Sequence, residues 1–80
     1  MDKDTEKYFE NYFDLFATEG WKQFMEDMEE NKSTLSSIMS IKEANDFFYR
    51  KGQVTTLSLI LNFQDAIEQS FKEHKNETDV

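Results

Sequence analysis

Proline is absent from this chain of 80 residues, and only two glycines, Gly20 and Gly52, interrupt it. Those two residue types supply most of the backbone punctuation that turns and strand ends require. A sequence so poor in breakers is built for helix, and its hydrophobic spacing agrees. One position needs a reason of its own. Gly20, the poorest helix former after proline, stands directly before Trp21, the only tryptophan.

Three helices are expected. Tyr8, Phe9, Tyr12, Phe13 and Phe16 fall at i, i+1, i+4, i+5 and i+8, which draws one aromatic stripe along a helix of about residues 5–16. Asp4 or Thr5 would cap it, with Glu6, Glu10 and Asp14 on the wet side. Trp21, Phe24, Met25, Met28, Leu35, Ile38 and Met39 then define a second helix over about 19–39. Thr18 is placed to accept from its free first-turn amides, and Glu19 lies against the positive end of its dipole. This helix is weakest in the serine-rich stretch from Asn31 to Ser37.

Ser40 and Glu43 form a capping box, after which Ala44, Phe47, Phe48, Val54, Leu57, Ile60, Leu61, Ile67 and Phe71 mark a long third helix over about 41–73. The string from Val54 to Leu61 alternates like a strand, but a lone strand would have nothing to pair with. The single domain is expected to span residues 1–73, with 74–80 a frayed polar tail.

A turn near Ser40 would make the second and third helices an antiparallel hairpin in which residues summing to about 80 lie opposite each other. Glu26 and Glu30 would then meet Arg50 and Lys51 as ion pairs, although exposed pairs of this kind contribute little. Gly20 would let the third helix cross closely near Ile60 while Trp21 fills the adjoining space, so that Gly20→Leu should obstruct the crossing and Gly20→Ala should not. Trp21, Phe24, Met28, Leu35, Leu57 and Leu61, with Gly20 and Gly52, are the candidate core and crossing residues. The third helix overhangs the second, so the aromatic first helix must fold back over the overhang or pack on another molecule. Tyr8, Phe9, Tyr12, Phe13 and Phe16 are therefore candidate interface residues as well as candidate core.

A core this small rarely supplies more than about 3–5 kcal/mol. Cysteine is absent, so neither a disulfide nor a thiolate zinc site can staple the fold. Association of copies is the remaining device, and the expected architecture is an all-α, coiled-coil-like hairpin completed into a bundle by dimerisation.

The formal charge is −8 and uneven. Residues 1–30 hold ten acidic and three basic side chains, whereas 31–63 hold Lys32, Lys42, Arg50 and Lys51 against Glu43 and Asp46. Without a basic stripe, direct nucleic-acid binding is not expected. No apolar run approaches the roughly 18 residues of a membrane span, and the charged start MDKDTEKYFE lacks a signal peptide's apolar core. Glu26, Glu29 and Glu30 have no histidine three residues away, as carboxylate-bridged metal bundles require. No phosphate loop or nucleophile elbow occurs. No catalytic, cofactor or metal site is expected.

The segment YFDLFATEGWKQFMED, followed after a spacer by FFYRKGQVTTLSLILNFQDAIE, resembles small helical proteins encoded by tailed bacteriophages, including marine ones. The likeness covers roughly residues 8–69 and implies a viral origin without a catalytic role. The expected function is that of a non-enzymatic phage accessory protein, acting by helix-mediated association in the cytoplasm of an infected bacterial host. Its partners would be a second copy, with a dimer favoured, or a phage or host protein. The alternatives are a virion assembly component of scaffold-like or head–tail type, and an acidic inhibitor of a host nucleic-acid enzyme.

Overall fold

The computed structural model describes residues 1–37 and 44–78, which form four α-helices: α1 (Lys3–Phe16), α2 (Glu19–Leu35), α3 (Ala44–Leu61) and α4 (Phe63–Thr78). There is no strand among the described residues, and Val54–Leu61 lie within α3. Ile38, Met39 and the Ser40–Glu43 capping box lie outside the described residues.

α1 begins earlier than expected because its cap is Asp2, not Asp4 or Thr5. The Asp2 carboxylate accepts the Thr5 amide at 2.7 Å, leaving Asp4 and Glu6 in the first turn where the helix dipole favours negative charge. At the other end, Thr18 caps α2 as its sequence position predicts, its Oγ1 accepting from Trp21 N at 3.1 Å. The same hydroxyl donates to the carbonyl of Leu15 at 2.7 Å, in the last turn of α1. One side chain thus closes a helix and opens the next. α2 ends at Leu35, with the Ser36 amide bonded back to Lys32 O at 2.9 Å, so the helix stops within the stretch identified as weakest.

The single long helix expected over 41–73 is two helices meeting at Asn62. Helical bonding nevertheless passes through the junction: Asn62 N donates to Ser58 O and Ala66 N to Asn62 O, each at 3.0 Å. From Ala44 to Thr78 a helix would rise roughly 52 Å. The longest dimension of the molecule is 53 Å, so α3 and α4 run end to end. α4 also continues past residue 73, where fraying was expected. His74 explains part of this, because its ring meets the edge of Phe9 at 5.5 Å and its Nδ1 lies 2.8 Å from Ser70 O.

α1 and α2 lie in sequence along the α4–α3 rod, and both strands of this layout are interrupted near the same level, at Ala17–Thr18 and Asn62. An alternation of three and four residues runs through the half-buried and buried positions. On α2 it is Trp21, Met25, Met28, Lys32 and Leu35; on the opposing rod it is Asp46, Arg50, Gln53, Leu57, Ile60, Gln64, Ile67 and Phe71, with Val54, Ser58, Leu61, Phe63 and Ser70 half-buried beside it. That is the spacing of a helix seam facing a single neighbour.

The two ends of the molecule differ. Phe9, Phe16 and Ile67 are buried, and Met1, Tyr12, Phe13, Trp21, Phe63 and Phe71 pack around them, so the core sits where α1 meets α4. Neither α2 nor α3 contributes a buried residue. The radius of gyration is 17.2 Å. A compact domain of this length would have about 12 Å.

Candidate association surface

The aromatic stripe of α1 is absorbed by its own chain. Phe9 and Phe13 meet Phe71 edge-on at 5.4 and 5.1 Å, and Tyr12 and Phe16 meet Phe63 at 5.1 and 6.2 Å. Phe16 also touches Trp21 at 5.1 Å, linking the cluster to α2. Edge-to-face geometry places the positive rim of one ring on the negative face of the next, adding to the gain from burial. Of the five candidate interface residues, Tyr8 alone is left half exposed, resting against Phe9 and Tyr12. Fold-back over the overhang is therefore how α1 packs, and it does not present an aromatic docking face.

The register of the hairpin is fixed by a polar bond. Trp21 Nε1 donates to Gln64 Oε1 at 3.0 Å, and Gln64 Nε2 donates to Glu68 Oε1 at 3.2 Å. Trp21 thus sits about one turn further along the rod than a sum of 80 predicts. Gly20 accordingly does not mark a crossing: a Cβ built on it, or on Gly52, would meet nothing within 4 Å. The close-contact reading of both glycines is incorrect, because both lie off the seam on open surface. Phe24 is off the seam too and 40% exposed, whereas Met28, Leu35, Leu57 and Leu61 are half-buried.

The ion pairs among the described residues are Lys7–Glu10 at 4.0 Å, Lys22–Glu19 at 3.3 Å and Arg50–Asp46 at 3.1 Å, each within one helix. The expected bridges from Glu26 and Glu30 to Arg50 and Lys51 do not form. Arg50 lies in the seam and finds a carboxylate one turn back on its own helix, while Glu26 and Glu30 are exposed, off the seam of α2. Among the described residues no group of three or more His, Asp or Glu is placed to hold a metal ion. No helix among them is long and apolar enough to cross a membrane.

What the hairpin offers instead is an open groove of about 910 Å³ on one flank. The half-buried Leu35, Gln53 and Leu57 lie deepest in its lining, and its exposed walls are Asn31 and Thr34 on α2 and Gly52, Thr56, Phe48 and Tyr49 on α3. Phe48 is 66% exposed and Tyr49 70%; Leu59, further along α3, is also 70% exposed and borders a smaller cleft with Trp21, Ile60 and Phe63. In the sequence, Phe48 stands out only as a helix-face residue, and Tyr49, Leu59 and Phe63 are not among the expected helix-face residues. The signal for Phe63 was present, since Phe63, Ile67 and Phe71 recur every four residues. For the other two, the signal is that α3 carries apolar residues all around, a pattern suited to a helix with neighbours on more than one side.

Asp2 departs from its ordinary value. The Thr5 backbone amide and side chain hydrogen-bond the Asp2 carboxylate and hold its pKa below 3.8. Comparison with protein-family models, curated proteins and solved structures finds no match.

Proposed function

We propose that the chain is a non-enzymatic phage accessory protein that works by docking the α2–α3 hairpin on another protein in the infected host cell. The observation that carries this reading is the contrast between the two ends of the molecule. One end closes over three buried side chains, and the other pairs two helices with none buried and with Phe47, Phe48, Tyr49 and Leu59 all exposed. Scattered surface hydrophobics need no explanation, but Phe48 and Tyr49 are neighbours that line the groove, and exposed apolar residues so placed are the mark of an interaction site. Helix-in-groove association uses such apolar positions at helical spacing.

A photocrosslinking residue at position 48 tests the proposal in infected cells. It should yield a covalent adduct with a protein, whereas the same residue at the exposed position 69 of α4 should not. Absence of any adduct from position 48 would end this reading. If the adduct is a structural protein of the particle, and the chain is found by mass spectrometry in purified virions, the assembly reading replaces that of a free accessory protein.

A further inference from the structure

The hairpin's own chemistry specifies what covers it, and this inference rests on the association reading above. We propose that the α2–α3 face docks a second copy of this chain, giving a four-helix bundle whose two-fold axis runs parallel to the helices and lays each α2 on the other copy's α3.

Area is the first argument. The accessible surface is 6358 Å², about a quarter more than the roughly 5,100 Å² of a compact monomer of this mass. The two-helix face is roughly 25 Å long and 20 Å wide. Two such faces in contact bury surface on the scale of a standard stable interface, roughly 800 Å² from each partner.

Charge selects the orientation. α2 carries Glu19, Glu26, Asp27, Glu29 and Glu30 against Lys22 and Lys32, while α3 carries Arg50 and Lys51 against Asp46. A two-fold axis across the helices would set α2 on α2 and oppose like charges. The axis along the helices sets α2 on α3 at both contacts, which is the favourable arrangement. Rotation about that axis keeps each residue at its own level. Each Phe48 then meets the small side chain of Thr34 on the other α2, and each Gly52 meets Asn31. Gly52 has open space above it in the single chain, as a helix-to-helix approach requires.

The test is analytical ultracentrifugation of the full chain over a range of micromolar concentrations. The wild type should sediment as a dimer. Gly52→Glu improves helix propensity, and a Cβ at this exposed position has nothing within 4 Å, so helicity by circular dichroism should be retained. Burying its charge in the interface should weaken the dimer by at least roughly a hundredfold. Phe48→Glu should act the same way, and Tyr8→Glu, at the other end, should leave the dimer intact. A dimer that survives Gly52→Glu or that Tyr8→Glu dissolves would overturn the proposal. A monomer at every concentration would overturn it too. If that monomer still gives an adduct with another protein from position 48, only self-association has failed; with no adduct at all, the association reading fails with it.

Discussion

Thr18 shows how much a single side chain can organise in a chain without proline. Its hydroxyl donates to α1 and accepts from α2, so the two-residue link between the helices needs no special backbone conformation; no residue with positive φ occurs among the described residues. Thr18→Val keeps the shape and removes both bonds. It should cost about 1 kcal/mol, seen as a fall of about 4–8 °C in the thermal midpoint, with Thr18→Ser recovering most of it. Asp2 makes a pH-dependent version of the same argument. Its folded-state pKa is depressed, so its contribution is present above the ordinary value of 3.8 and is lost as pH falls through the folded-state value. The Thr5 amide proton should report this titration by NMR with a midpoint below 3.8, and Asp2→Asn, also a good cap, should abolish that titration without unwinding α1. A midpoint at or above 3.8 would show that the cap is not formed in solution.

At the scale of the helices, the cap of α2 was legible because capping is local: a hydroxyl, a following acid and a hydrophobic run all lie within a few residues. The cap of α1 was misplaced for the same kind of reason, since Asp2, Asp4 and Thr5 all offer a suitable oxygen and only the built backbone selects among them. Gly20 was misread because its meaning depended on register, a long-range property that the bond between Trp21 and Gln64 sets. With nothing near its Cβ position, Gly20→Ala should stabilise the fold by up to about 1 kcal/mol by removing backbone freedom from the unfolded chain. A measured loss of thermal stability would restore the crossing account.

Taken whole, the molecule is a rod with one closed end and one open end. Stability is concentrated at the closed end, where Phe9 is 2% exposed and touches Phe13, Phe71 and His74. Phe9→Ala should cost about 3–5 kcal/mol, comparable with the whole net stability of a core this size. The variant should therefore lose its near-ultraviolet dichroism at ordinary temperature, whereas Phe48→Ala, on the open face, should keep it. Retention of a cooperative melt by Phe9→Ala would place the stability elsewhere.

The sequence by itself determined that the chain is all helical, that aromatic rings line one face of the first helix and that Thr18 begins the second. These follow from breaker content, periodicity and capping, which act over a few residues. Tertiary structure alone decided that the aromatic stripe closes on α4 of the same chain, that the long third helix is interrupted at Asn62 and that both glycines face open space. Each of these depends on which distant residues meet, and many registers satisfy the same hydrophobic period. The physical reason that the hairpin is left open is one of placement: α1 packs on α4 and on the start of α2 through Trp21, and none of the described helices lies over the groove between α2 and α3.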